Sequence, residues 1–420
     1  MIERQIEQVE NEIEEQRKKI QRTAEYNQKR VLQAFRNNQI SDSHFNPTTG
    51  YGYDDYGRDG LEAVYADVFG AEDALVRPQL ISGTHAITTA LFGILRPADE
   101  LMYITGAPYD TLEEVIGIRG NNNGSLLEFG INYQAIPLTT KGQVNWEQIE
   151  LSISQQTKVV AIQRSKGYAN RPSFSVDEIA DMIRKIKELK SDVIVFVDNC
   201  YGEFVEQKEP THVGADLIAG SLIKNPGGGI VRTGGYIVGK KDLVALAANR
   251  LTAPGLGKET GASIGMLQEM YQGLFLAPHT VSEALQGAVF SSKLLANYGF
   301  KTSPFFDEPR TDLIQSVTFE TKDQMIAFCQ SIQYASPINS HVTPYPASMP
   351  GYESDVIMAA GTFIQGASLE LTADGPIREP YTVFVQGGLI YAHVKLAIIE
   401  AINLFKEKGY VPTNEHSSTK

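Results

Sequence analysis

Two apolar runs separated by one amphipathic stretch constrain the architecture of this chain more than any other feature. Residues 157–163 (TKVVAIQ) and 192–197 (DVIVFV) are short, rich in β-branched residues and apolar at their centres. Runs of that length without polar alternation read as strands buried on both faces. Between them, Ser175 and Glu178 form a capping box, and Ile179, Met182, Ile183, Ile186 and Leu189 recur at helical spacing. Strand, helix, strand in that order argues for a parallel sheet of the α/β class. Residues 99–104 (DELMYI) and 216–220 (ADLIAG) supply two further buried strands. In such sheets ligands gather beyond the carboxyl ends of the strands, and the chemistry is to be sought there.

With 420 residues, the chain exceeds one ordinary core and suits two domains. The α/β texture extends over 60–285, the expected large domain. Ahead of it, Ile2, Ile6, Val9, Ile13 and Ile20 predict a helical arm over 2–35, packed on its own subunit or on a partner, within a segment 1–59. Residues 286–412 read as a smaller C-terminal α+β domain. It carries a helix pattern over 281–298, strand-like runs at 313–319 and 367–371, and a long helix pattern over 388–407. Residues 413–420 form a polar tail.

Charge narrows the range of partners. The net charge is −13, and the basic field that announces nucleic-acid binding is missing. The longest apolar runs fall well short of a membrane span, and the opening MIERQIEQVENEIEEQ lacks a signal-peptide core. Two cysteines, Cys200 and Cys329, suit a reducing compartment and offer neither a disulfide framework nor a metal cluster. The expectation is a cytoplasmic protein working on a small molecule, with no metal centre, nucleic acid or membrane.

Three features sit where a parallel sheet would place a ligand. Asp198 ends the apolar run VIVFVD, where a carboxylate is costly unless it meets a cation or donor. Lys224 ends ADLIAGSLIK, ahead of the glycine-rich NPGGG; a lysine beside apolar walls sheds its proton readily and can form a Schiff base. Ser82-Gly83-Thr84 stands at the entrance to a helix, where backbone amides make an anion site. Together they would hold pyridoxal 5′-phosphate (PLP) by its ring nitrogen, aldehyde and phosphate. Singly, each has a plainer reading: a helix cap for Asp198, a surface lysine for Lys224, an ordinary turn for SGTHA.

The stretches YGYDDYGRDGLE, ISGTHA, VDNCYGEF, GSLIKNPGGGI, HVTPYP, MPGYESDVIMAAGTFIQGASLELTADGPIREPY and VQGG carry a resemblance. The chain resembles fold-type I PLP-dependent enzymes of the cystathionine/methionine lyase group, and within it the bacterial aluminium-resistance or methionine gamma-lyase-like branch. The resemblance implies the PLP-dependent transferase fold, with a mainly parallel large domain and a smaller C-terminal α+β domain. It makes Lys224 the Schiff-base lysine, Asp198 the partner of the pyridinium nitrogen and Tyr109 the ring-stacking tyrosine. Ser221, Gly83 and Thr84 become phosphate ligands, and Tyr56 and Arg58 the pair that reaches the phosphate from a neighbouring subunit. Asn170 is the candidate for the cofactor's ring oxygen, and His85 a second candidate for ring contact. A homodimer or homotetramer with shared active sites follows from the same likeness.

Two departures stand out. Ile223 replaces the threonine that the group places before its lysine, and NPGGG is foreign to it, so phosphate binding must use fewer hydroxyls or borrow donors from that turn. Cys200 reads as a packed small residue, and Tyr201 and Glu203 as site-lining groups without a role. For the substrate carboxylate, the fork-shaped cation Arg378 in GPIREPY is chosen, against an ion pair with Glu379. A carbon–sulfur lyase acting on cystathionine, cysteine or methionine is expected. Transamination, decarboxylation or aldol cleavage, and a PLP-binding protein with little catalysis, stay open.

Overall fold

The computed structural model describes residues 2–411 apart from Asn170, Pro350, Gly351 and Glu353. Asn170 and the tail 413–420 therefore lie outside the described residues. The chain divides into two units, Tyr26–Pro278 on one hand and Met1–Glu25 with His279–Lys420 on the other.

The first unit is built on a seven-stranded sheet. Its strands are β1 (Asp73–Arg77), β2 (Glu100–Tyr103), β3 (Asn132–Ala135), β4 (Thr157–Gln163), β5 (Ile194–Asp198), β6 (Leu217–Ser221) and β7 (Gly235–Gly239). They lie in the order β1-β7-β6-β5-β4-β2-β3. The five strands from β3 to β6 are parallel, and β7 runs antiparallel to both its neighbours. The interior strands are buried almost throughout, as the continuous apolar runs require.

The crossover helices follow from local signals. In α7 (Val176–Leu189), the Ser175 hydroxyl accepts from the Glu178 amide at 3.2 Å while Glu178 takes the Ser175 amide at 2.8 Å. Its residues Ile179, Met182, Ile183 and Ile186 are buried, whereas Leu189, expected on the same face, is exposed in the last turn. Helix α4 (Gly83–Ile94) packs beside α8 (Lys241–Leu251). A Cβ on Gly93 would stand 2.9 Å from the Ala247 Cα, so only glycine permits this approach. The remaining helices of this part are α3 (Tyr56–Phe69), α5 (Asp110–Ile116) and α6 (Trp146–Ser152).

The second unit holds a five-stranded antiparallel sheet, ordered β10-β11-β12-β9-β8. Its strands are β8 (Lys301–Ser303), β9 (Gln315–Phe319), β10 (Val356–Ala359), β11 (Thr372–Pro376) and β12 (Tyr381–Gln386), accompanied by α10 (Lys322–Tyr334) and α11 (Tyr391–Glu407). The amino-terminal arm forms α1 (Ile2–Glu12) and α2 (Glu14–Asn37), and Val9 and Ile13 are buried in one core with Phe290, Phe328, Ile398 and Phe405. The long helix α9 (Leu267–Asn297) starts well before the helix expected over 281–298.

One expectation fails. Residues 367–371 are buried but form no strand; the strand begins only at Thr372. The apolar run is an irregular segment whose Glu370 carboxylate accepts the amides of Phe363 and Ile364 at 2.8 and 2.9 Å. Composition reported burial there, not a ladder.

Candidate active site

Three parallel strands end side by side, each with a polar residue at its carboxyl terminus. In register, Gln163 of β4 stands opposite Asp198 of β5, and β6 follows on the other flank with Ser221 as its last residue. Beyond these ends opens a cavity walled by Ser82, Gly83, Thr84, Tyr109, Gln163, Asp198, Cys200, Ser221, Ile223 and Lys224, among others. The sheet order therefore lays out the site laterally, with Ser221 on one side of Asp198 and Gln163 on the other.

Asp198 is almost wholly buried, and its Oδ1 accepts from the Cys200 amide at 3.1 Å. Burial holds its pKa above the usual carboxylate value, opposed by the charge of Lys224, the Cys200 amide and thiol, and Arg171. Lys224, in the turn after β6, is half-buried, with Nζ 4.0 Å from the centre of the Tyr201 ring. Burial alone would lower its pKa, but Cys200, Tyr201, Asp198 and Glu203 around it outweigh that and hold it above the ordinary lysine value.

The start of α4 supplies the anion site. Ser82 caps the helix by accepting from the His85 amide at 3.0 Å, which leaves the amides of Gly83 and Thr84 without a hydrogen-bond partner among the described residues. Gly83 approaches β6 closely, since a Cβ there would stand 3.2 Å from Cys200 Sγ and 3.3 Å from Ser221 Cβ. Tyr109, at the amino end of α5, forms a wall. A Cβ on Gly167, whose φ is +55°, would crowd its ring at 3.0 Å, so glycine there gives the tyrosine room.

Other predicted residues lie elsewhere. His85 is not among the walls, and its Nδ1 accepts from the Ile81 amide at 3.3 Å. Arg58 is buried and committed within its own chain, with Nη1 on the carbonyls of Gly52 and Gly261 at 2.6 and 3.2 Å and Nε on Asp59 at 2.9 Å. Tyr56, at the first position of α3, is 60% exposed. Arg378 belongs to the other unit, exposed in the connection between β11 and β12, and forms no ion pair with Glu379 or any other described residue. The NPGGG turn does not reach the cavity. Its Gly227 and Gly228 pack against Gly273 of α9, where a Cβ on Gly228 would stand 2.3 Å from the Gly273 carbonyl oxygen. That turn is glycine-rich because two backbones meet there, and it lends no donors to the cavity.

Gln163 is a wall residue at a strand end that the sequence did not single out. It is buried, its Nε2 donates to the Ser165 carbonyl at 3.1 Å, and its Oε1 has no partner among the described residues. Its one signal was its place at the end of a buried strand.

These groups fit PLP. A buried carboxylate, an amine and two unpaired amides at a helix start converge on one cavity, matching a ring nitrogen, an aldehyde and a phosphate.

Comparison with known proteins agrees. The family model described as methionine gamma-lyase matches residues 2–406. The chain is 62% identical over 395 residues to the uncharacterized protein YnbB of Bacillus subtilis, covering 94% of both chains. A crystal structure of a carbon-sulfur lyase involved in aluminum resistance from Clostridium novyi is 50% identical, with a TM-score of 0.91 over 94% of each chain. The pyridoxal-5′-phosphate-dependent protein YhfS of Escherichia coli, 17% identical, shares the fold with a TM-score of 0.61, over 90% of this chain and 96% of its own. The chain belongs to the methionine gamma-lyase family, and its cofactor is PLP.

Proposed function

We propose that this member of the methionine gamma-lyase family is a carbon–sulfur lyase that cleaves a sulfur-containing amino acid by elimination at the β or γ carbon. The observation that carries the reading is the convergence of Lys224, Asp198 and the free amides of α4 on one cavity. It fits the family model, which matches almost the whole chain.

Each residue has a task. Gly83 and Thr84 would hold the phosphate through their amides, and Lys224 Nζ would hold the aldehyde carbon. When bound, PLP supplies an electron sink for the charge that develops at the substrate's α carbon. Asp198 keeps a proton on the ring nitrogen, a charge-assisted bond that a buried carboxylate is suited to make. Lys224, once its amine is free, takes the α proton. Lys224 or the Tyr109 hydroxyl then gives a proton to the departing sulfur. Arg378 is assigned to the substrate carboxylate, and the exposed Tyr56 to a neighbouring subunit's site in a dimer or tetramer, with Arg58 shaping the loop before it from within its own chain.

The test is a panel of amino acids that includes cystathionine, cysteine and methionine. Thiol, keto acid and ammonia in equal amounts are expected. Carbon dioxide release, or amino transfer to an added keto acid without thiol, overturns the reading in favour of a decarboxylase or an aminotransferase.

A further inference from the structure

Among the residues that wall the cavity, Lys224 is the one cation, and its amine is assigned to the aldehyde rather than the phosphate. Arg58, which the resemblance sent to a phosphate, commits Nη1 to the carbonyls of Gly52 and Gly261 in its own chain. Ile223 offers no hydroxyl ahead of Lys224, and the NPGGG turn does not reach the cavity. From this chain, then, the phosphate depends on neutral donors: backbone amides and hydroxyls.

The hydroxyls along the cavity can be followed one proton at a time. Ser82 Oγ accepts from the His85 amide at 3.0 Å and Ser221 Oγ from the Ile223 amide at 3.3 Å, and neither hydroxyl donates to a described residue. Thr88, one turn along α4, directs its only proton to the Thr84 carbonyl at 2.7 Å. That leaves a pair that joins two helices. Thr84 Oγ1 in the first turn of α4 lies 2.9 Å from Thr111 Oγ1, the second residue of α5, and both residues line the cavity. Two hydroxyls so joined place one proton between them and keep one to give. The oxygen that keeps it already accepts from its neighbour, which polarises it and makes it the stronger donor. Tyr109 walls the same cavity from just before α5, so the start of one short helix brings both side chains to the site.

We propose that Thr111 is a cofactor-binding residue: with Thr84 it forms a hydroxyl pair that donates one hydrogen bond to the phosphate of PLP, beside the amides of Gly83 and Thr84. The proposal rests on the reading of this cavity as the PLP site. It also answers the departure seen around the lysine, because the donor missing at Ile223 is replaced from α5 and not from the glycine-rich turn. Sequence alone did not single out Thr111, since its partner Thr84 stands on another helix, 27 positions away.

Pyridoxal, which is PLP without its phosphate, separates this role from mere packing. Binding of each compound to the cofactor-free full chain is measured for the wild type, Thr111→Val and Thr111→Ser. Valine keeps the shape and removes the hydroxyl, and serine restores it. Thr111→Val should bind PLP about tenfold more weakly and pyridoxal as tightly as the wild type, because one hydrogen bond to a charged group is lost. Thr111→Ser should recover PLP binding. The phosphorus NMR resonance of bound PLP should move in the valine variant and return in the serine variant. Equal weakening of both compounds would make Thr111 a packing residue, and an unchanged PLP affinity would leave the pair without a phosphate; either result overturns the proposal. Borohydride reduction and peptide mapping accompany each protein. With label on Lys224, those two results overturn the role of Thr111 alone, whereas label on another lysine overturns the site assignment beneath it. If Thr111→Val does not fold, Thr84→Val removes the other hydroxyl of the pair and should show the same loss for PLP alone. An equal loss for pyridoxal, or none for PLP, overturns the proposal there as well.

Discussion

The Lys224 ammonium rests 4.0 Å from the centre of the Tyr201 ring, and Tyr201 holds a left-handed backbone with φ of 71°. A bulky residue in that region is strained, and it persists only where its surroundings over-determine it. Tyr201 belongs to the tight turn that follows Asp198, so the strained turn places the aromatic face directly under the amine. A cation over an aromatic ring gains about 0.5–2 kcal/mol, depending on how far it is desolvated. That contact helps set the direction of the Lys224 side chain.

Lys224→Ala should lose the covalent link to PLP and nearly all turnover, while the amides at the start of α4 still bind the cofactor reversibly. Dialysis would remove PLP from the variant but not from the wild type. A variant that keeps PLP through dialysis after borohydride treatment would place the link on another lysine.

Asp198→Asn keeps the shape of the β5 end but weakens protonation of the ring nitrogen. Turnover should fall on the order of a hundredfold, about 3 kcal/mol in barrier, with PLP still bound. Unchanged turnover would make Asp198 a purely structural residue.

How much of this was legible beforehand follows from the range of each signal. Asp198, Lys224 and the Ser82 cap are local: each marks the end of a strand or the start of a helix, and each faces the one cavity. Gln163 was hidden because its importance comes from lying in register with Asp198 across the crossover 164–193. The commitment of Arg58 was equally hidden, since its acceptor Gly261 lies 203 positions away in sequence. The antiparallel insertion of β7 between β1 and β6 has no signature in the run GYIVG, which states burial without direction. For the same reason residues 367–371 misled: apolar composition specifies an interior, and only backbone pairing distinguishes strand from coil.

The buried pair beneath β1 should matter for stability rather than catalysis. Arg77 Nε lies 2.7 Å from Glu62, and its other nitrogens donate to the carbonyls of Thr260 and Lys258 at 2.7 and 2.9 Å. Arg77→Met leaves Glu62 with the Val76 amide at 3.0 Å and Lys258 at 3.3 Å, and strands two carbonyls. The cost should be about 3–5 kcal/mol, read as a lower urea midpoint. A loss below about 1 kcal/mol would show that Lys258 suffices.

Tyr56 offers a test of shared sites. Its ring is exposed, while Arg58 shapes the preceding loop through the Gly52 carbonyl. If Tyr56 serves a neighbour's phosphate, Tyr56→Ala and Lys224→Ala chains should complement each other when mixed. Random pairing makes half of the dimers hybrid, each with one intact site, so recovery should approach about a quarter of wild-type activity. No recovery after verified subunit exchange would confine Tyr56 to its own chain.

Arg378 poses the sharpest question about substrate. It is exposed between β11 and β12 and pairs with no carboxylate among the described residues. A guanidinium meets a carboxylate through two parallel hydrogen bonds, which an ammonium cannot reproduce. Arg378→Lys should therefore raise KM by about tenfold, about 1.4 kcal/mol of binding, and change kcat much less. Folding should be unaffected, because the side chain is exposed and makes no ion pair among the described residues. Converting the substrate's carboxylate to an amide should cost the wild type more than the variant, since the variant has already lost the paired hydrogen bonds. An unchanged KM for the free acid would remove Arg378 from the site and leave carboxylate recognition to another cation.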